Sequence, residues 1–359
     1  VLAVPSSFAQ EDPGQPPKFV GMAAEEFHAD FETYNAASGD YPAIRQAFWT
    51  LEETWPNDSY LAGLSWLDDR GLVALVEITT DDLGALVSGG RDVKLRTMAA
   101  SVADWIHSGV NRRLMIAPLP EANLVDFPWG ADPAGFKAGY NRIRNAFLNA
   151  GLTADEVRFV FAMHGTSSPG FSMVDFYPGD DVVDIVGFSI VNRNDPWHAY
   201  NSAFQRFIDE IKATVTQAKP ILITQTASVE ESGDRDTWLR DMFRNLGAED
   251  QVIGLVYFNR AKTEGGKFND YRVVVDDWVD PVFLSESRAW SGPQELDWIF
   301  DGSMDRWVDA RHELFGDLPY FTDIAGLRYA PDILWLAAAG ITAGCNPPVN
   351  DRFCPNGLV

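Results

Sequence analysis

Residues Arg113–Trp129 read RLMIAPLPEANLVDFPW. The apolar run ends in Pro118-Leu119-Pro120 and delivers one carboxylate, Glu121, beside an amide, Asn123, with the indole of Trp129 close behind. A carboxylate at the end of a short buried strand, near an aromatic ring, stands where parallel barrels carry their working residues. The fold turns on whether enough strands of the same kind flank this one.

Upstream, Lys18–Ala23, Ile44–Leu51 and Leu72–Ile78 are short apolar runs. Downstream, Val157–Ala162, Val182–Ser189, Lys219–Thr224 and Val252–Phe258 repeat the pattern, which makes eight with Arg113–Ala117. Continuous apolar runs of this length are the pattern of strands buried on both faces. Between them lie helical patterns over Gly90–His107, Pro133–Asn149, Ala199–Ala218 and Arg235–Leu246, and a looser one over Asp58–Asp69. Gly151 closes the second of these as a C-terminal stop. Eight strands, most followed by a helix, predict a (β/α)8 TIM barrel. A doubly wound sheet is the rival, but Gly21-Met22-Ala23 after the first strand is no glycine-rich phosphate loop.

The chain has 359 residues, of which 46% are hydrophobic and 13% aromatic, enough for a large core with a small appended unit. Its 28 basic residues against 52 acidic ones give a net charge of −24. Phosphate binding needs clustered cations, so nucleic acid is excluded as a partner. No run of about eighteen apolar residues occurs, so no membrane-spanning helix is expected. Val1–Gln10 reads as the tail of an apolar export segment, with Ser7 and Ala9 at signal-peptidase spacing, and predicts a secreted or cell-surface chain.

At the strand ends the sequence offers Glu77, Glu121 with Asn123, His164, Asn192, Gln225 with Thr226, and Phe258 with Asn259. The five histidines show no HxH or HExxH spacing, so no metal and no cofactor is predicted. There is no GxSxG elbow and no P-loop. Cleaving a glycosidic bond calls for two carboxyl groups across it, about 5 Å apart in retaining enzymes and about 6.5–9.5 Å in inverting ones. Glu121 ends the fourth strand, whereas Gln225 ends the seventh, and an amide cannot form the glycosyl ester. Glu77, Glu230 and Glu231 are the carboxylates available to replace it. Trp129 and Trp197 read equally as sugar platforms or as rim packing. Asp180, Asp181 and Asp184 read as turn caps that fix a strand entry.

Over about residues 18 to 275 the order of motifs resembles glycoside hydrolase family 26, retaining (β/α)8 enzymes that include the β-mannanases. Gly89-Gly90-Arg91-Asp92 looks like the family's G-x-x-D entry. Pro120-Glu121-Ala122-Asn123 followed by Pro128-Trp129 resembles its H-E-M-N-G…W-P-W acid motif, with proline in place of histidine. Phe176–Gly187 (FYPGDDVVDIVG) is similar to its Y-Y-P-G-D-x-Y-V-D-x-V-G run, and Lys219–Gln225 to its K-P-I-x-I-x-E, with Trp238 following. Val256–Asn259 resembles its last strand. The resemblance implies Glu121 as general acid/base, Gln225 in the nucleophile's place and Val191 where a tyrosine bonds that nucleophile. Asn123, Trp129, His164, Asn192, Trp197, Phe258 and Asn259 then become the expected substrate contacts.

Phe321-Thr322-Asp323-Ile324, Gly340–Cys345 and Phe353-Cys354-Pro355 resemble a partial S-layer homology module, which implies a cell-wall polymer as partner and a Cys345–Cys354 disulfide. The expected organisation is a leader over 1–17, the barrel over 18–290, a packing helix and linker over 291–320 and the small module over 321–359. The reading that results is a wall-attached glycoside hydrolase acting on a β-linked, mannan-like polysaccharide. Its alternative is a catalytically silent carbohydrate-binding protein on the same barrel; a purely structural wall protein is a third.

Overall fold

The structure is a computed structural model and describes residues 18–290 apart from 111, 201–203 and 265. The expected leader over 1–17, packing helix and linker over 291–320, and small module over 321–359 with its expected Cys345–Cys354 pairing lie outside the described residues. Eight parallel strands close into a barrel in sequence order: β1 (Phe19–Ala24), β2 (Ile44–Thr50), β3 (Val73–Thr79), β4 (Leu114–Pro118), β5 (Val157–His164), β6 (Ile185–Asn192), β7 (Ile221–Ser228) and β8 (Val252–Asn259). Closure is made by β1 against β8, with Phe19 opposite Gly254 and Ala24 opposite Asn259. The strands are almost wholly buried, because their inner faces fill the barrel and their outer faces lie under helices.

The helices around the barrel are α1 (Phe27–Ser38), α2 (Asp58–Asp68), α3 (Leu83–Ser88), α4 (Asp92–His107), α5 (Pro133–Asn149), α6 (Met173–Phe176), α7 (Gln205–Glu210, running into a π-turn over Ile211–Val215), α8 (Arg235–Gly247) and α9 (Pro281–Trp290). Their starts follow local chemistry. Asn57, Asp82, Asp132 and Asp234 each accept a hydrogen bond from the backbone three residues on, and Pro133 supplies the fixed φ of a first helical residue.

Several boundaries depart from the sequence reading. Helix α1 was not anticipated, because its buried stripe of Phe31 and Tyr34 is interrupted by Asp30, itself buried. The described helix before β7 begins at Gln205 and stops at Val215, where Thr216 turns extended. Strand β6 starts at Ile185 rather than Val182, since the Val182 and Val183 amides close a turn onto the Gly179 carbonyl oxygen. Asp184 fixes that entry as expected: its carboxylate accepts from the Phe159 amide at 2.7 Å. After β8 the chain adds a hairpin, β9 (Ala261–Glu264) with β10 (Lys267–Asp270), and a two-residue ladder of β11 (Val274–Val275) with β12 (Trp278–Val279). Helix α9 then packs back, Phe283 meeting Tyr34, Phe243 and Tyr257.

One irregularity bears on the barrel mouth. Phe188 of β6 faces Ile223 of β7, but Ser189 faces Gln225, so β7 carries an extra residue there. A bulge of this kind re-aims the side chains beside it. Below it the two strands approach so closely that a Cβ on Gly187 would lie 2.2 Å from the Leu222 carbonyl oxygen.

Candidate active site at the barrel mouth

The loop leaving β4 is fixed at both sides. The Leu119 amide donates to Ile78 of β3 and the Glu121 amide to Ala162 of β5, both at 2.8 Å. Trp129 Nε1 donates to the Pro120 carbonyl oxygen at 2.7 Å, and the Ala131 amide to Ala122 at 2.9 Å. Held in this way, Leu119 and Glu121 take φ of 54° and 56°, a left-handed conformation that side-chain-bearing residues seldom adopt. Such strain survives only where the surroundings over-determine it. Here it turns the Glu121 side chain across the mouth, where Ser189 Oγ donates to its Oε1.

Ser189 is the centre of a row. It stands in register with His164 on β5 and with Gln225 on β7. Gln225 is half-buried between the buried Thr224 and Thr226, which places its amide on the open side of the strand at the bulge. Among the described residues nothing bonds to that side-chain amide. Half-buried His164 holds Nδ1 2.8 Å from the Thr166 carbonyl oxygen and 3.1 Å from its amide. Glu121, Ser189, His164 and Gln225 thus meet although they come from four strand ends.

Three carboxylates were available to replace the missing nucleophile, and their environments differ. Glu77 of β3 is only 3% exposed and accepts from Gln46 Nε2 at 2.7 Å. Burial, and next the charge of Glu121, push its carboxyl up to about 8, against the smaller opposing effect of Gln46. Burial thus favours its neutral form and makes it a poor base for water. Glu230 lies on the outer loop and pairs with Arg235 at 3.0 Å. Glu231 is exposed on the same loop.

The structure gives the three asparagines on the sequence list another task. Asn123 is fully buried: its Nδ2 donates to the His164 carbonyl oxygen at 2.7 Å and to Ser167 Oγ at 2.9 Å, and its Oδ1 accepts from the His164 amide. Asn192 bonds the His198 backbone and Ser228 Oγ in the same manner. Asn259 Nδ2 donates to Asp30 and to the Val274 carbonyl oxygen, while its Oδ1 accepts from the amides of Val273 and Val274. Both amide hydrogens and the oxygen of each are engaged within the protein, so these side chains tie loops to the barrel and have no free donor for a sugar.

The aromatic candidates divide similarly. Trp129 is 7% exposed and stacked on Phe127 at 4.9 Å, which makes it packing under the loop rather than a platform. Phe258 is buried against Tyr271, with Lys262 Nζ 4.8 Å from its ring. Half-buried Trp197 donates from Nε1 to Ser228 Oγ at 3.1 Å and lies so close over Gly233 that a Cβ there would be 2.2 Å from the ring. Val191 is half-buried against the core. Phe48 of β2, in register with Glu77, is exposed by contrast (41%), with the Arg260 guanidinium 6.0 Å from its ring. Neither Phe48 nor Ser189 was singled out in the sequence. The signal for Phe48 is the alternation Gln46, Phe48, Thr50, which puts an aromatic among the inward positions of a short strand. Ser189 carries no local signal.

No group of metal-ligating side chains occurs among the described residues, and no helix there is long and apolar enough to cross a membrane. No family model matches the chain. Endoglucanase H of Acetivibrio thermocellus is 25% identical over 197 residues, which are 51% of this chain and 21% of that protein. The chain thus spans about a fifth of the length of that curated relative. Among solved structures, a double mutant of the Cellulomonas fimi endo-beta-1,4-mannanase aligns with TM-score 0.57 at 16% identity, covering 79% of this chain and 74% of that one. The family 26 protein GH26C of a Muricauda species gives 0.56 at 14%, covering 78% and 87%, and the GH26 beta-mannanase of Bacteroides ovatus 0.53 at 16%, covering 78% and 89%. At these identities the likeness to the solved structures is one of fold.

Proposed function

We propose that this barrel is a glycoside hydrolase of the family 26 type acting on a β-linked polysaccharide, with Glu121 as its general acid/base. The observation that carries the reading is the presentation of Glu121: a strained residue pinned between β3 and β5, its carboxyl steadied by Ser189 and aimed over the row that holds Gln225. A fixed carboxyl in a cleft is what protonation of a leaving glycosidic oxygen requires. The fold neighbours and the curated relative are glycan-degrading proteins by name, which supports the polysaccharide as ligand. Export, and attachment to a cell-wall polymer through residues 321–359, belong to the same proposal and rest on the sequence motifs.

Gln225 favours a second reading, a barrel that binds the glycan without cleaving it, because the residue facing Ser189 cannot form a covalent ester. Assaying the chain and its Gln225→Glu variant on β-mannans, β-glucans, xylans and amino-sugar polymers separates the two. Cleavage by the unaltered chain supports the hydrolase. Cleavage only by Gln225→Glu, or retention on the polymer without cleavage by either, supports the binder and sinks the hydrolase.

A further inference from the structure

We infer that the substrate is a β-linked glycan of 2-acetamido-2-deoxy sugars, whose own acetamido oxygen replaces the missing protein nucleophile while Gln225 holds the acetamido group. This rests on the hydrolase reading and narrows its substrate class.

The argument starts from what the mouth lacks and what it offers. The side chain in register with Ser189 on β7 is an amide, and the carboxyl of β3, Glu77, is buried and engaged by Gln46. With no carboxylate facing Ser189 on β7, retaining cleavage at this position calls for a sugar that brings its own nucleophile, and substrate assistance of this kind is an established exception among glycosidases. An acetamido group at C2 does so when it lies trans to the leaving group, as in β-linked gluco- and galacto-configured amino sugars. A β-mannoside has its C2 substituent cis to the leaving group, on the wrong side for attack.

Gln225 supplies what such a substrate needs. Its amide offers both a donor and an acceptor, is half-buried, and has no partner among the described residues. It stands beside the Ser189 that bonds Glu121, so a sugar placed against Glu121 has its ring next to Gln225. Gln225 Oε1 is then the acceptor for the acetamido N–H, which gains positive character as its carbonyl oxygen attacks. The exposed Phe48 ring gives the opposite side of the mouth an apolar face suited to a sugar's C–H surface.

In the first step the acetamido oxygen bonds to C1 as the C1–O glycosidic bond breaks, and protonated Glu121 gives its proton to the leaving oxygen. The sugar becomes a cyclic oxazolinium ion. In the second step water bonds to C1, Glu121 takes a proton from that water, and the C1–O bond of the oxazolinium ring breaks to restore the acetamide. One water is consumed, the β configuration is retained, and Glu121 ends as it began.

The test uses the full chain with N-acetylchitohexaose, its fully N-deacetylated counterpart, and manno-, gluco- and xylo-hexaoses. The expected result is cleavage of the acetylated oligomer alone, with the β-anomer formed first by proton NMR, and a loss of about 100-fold in kcat/KM in Gln225→Ala. Cleavage of the deacetylated, manno-, gluco- or xylo-oligomers at comparable rates overturns the inference and leaves the hydrolase standing. Cleavage of none of the five sinks the hydrolase reading and this inference with it.

Discussion

Ser189 and Glu121 are 68 residues apart in sequence and share one hydrogen bond across the barrel mouth. A hydrogen bond to a charged group contributes about 1.5–3 kcal/mol, so losing the hydroxyl costs position as well as energy. Ser189→Ala is expected to lower kcat/KM by roughly 10- to 100-fold with little change in KM, measured by initial rates on a cleaved oligosaccharide. Glu121→Gln removes the proton donor and is expected to lower kcat by about a thousand-fold while the unfolding midpoint stays within a degree or two of the parent, checked by calorimetry beside kinetics. Glu121 was legible because Pro118 and Pro120 bracket the end of an apolar run. Ser189 was not, since nothing in VVDIVGFS says that its last residue looks across the mouth at another strand's loop.

Among the elements, the ends of β4, β6 and β8 share one device: a buried asparagine whose amide bonds the loop that follows or the neighbouring strand. Asn259 is the most heavily engaged, because it also donates to Asp30, a carboxylate of α1 buried beside it. Removing that amide leaves two backbone N–H groups and one carbonyl oxygen without this partner, while Asp30 keeps the Glu25 and Glu26 amides. At about 1–3 kcal/mol for each buried group left unpaired, less what rearrangement restores, Asn259→Ala is expected to destabilise the barrel by about 4 kcal/mol, read from the urea midpoint. The asparagines look like sugar contacts in sequence because they end strands, where barrels do their chemistry. Their burial could only be seen once the loops were in place. Helix α1 escaped the sequence reading because Asp30 breaks its apolar stripe; the buried carboxylate is satisfied by the Glu25 and Glu26 amides and by Asn259, a partner 229 residues away.

At the scale of the molecule, barrel closure buries two ionisable groups that set opposite pH dependences. Glu77 sits inside the wall with its carboxyl pushed up to about 8, first by burial. Between the unfolded carboxyl's titration near pH 4.5 and pH 8 the native state holds a proton that the unfolded chain has lost, so stability falls as pH rises. Lys18 closes the opposite end, its Nζ donating to the Val252 carbonyl oxygen at 2.8 Å, and burial lowers it to about 8. From pH 8 to about 10.5 the unfolded chain holds the extra proton, so stability rises with pH. These two groups together put a minimum near pH 8. Glu77→Gln, which mimics the neutral acid, is expected to abolish the fall: its advantage over the parent grows from near zero at pH 4.5 to roughly 4–5 kcal/mol above pH 8, at about 1.4 kcal/mol per unit. Denaturant midpoints of both proteins from pH 5 to 9 measure it, and a constant difference sinks the assignment.

The sequence by itself determined the barrel and the place of Glu121. Strands buried on both faces must be apolar throughout, and a run of eight such strands with intervening helices leaves one economical closure. The tertiary structure alone decided which polar residues face the mouth. Hydrogen bonding turned Asn123, Asn192 and Asn259 into loop ties and brought Ser189 between Glu121 and Gln225, and burial pushed the Glu77 carboxyl up. The reason is that whether a polar side chain is satisfied depends on partners supplied by other strands, tens to hundreds of residues away, and these meet only when the barrel closes.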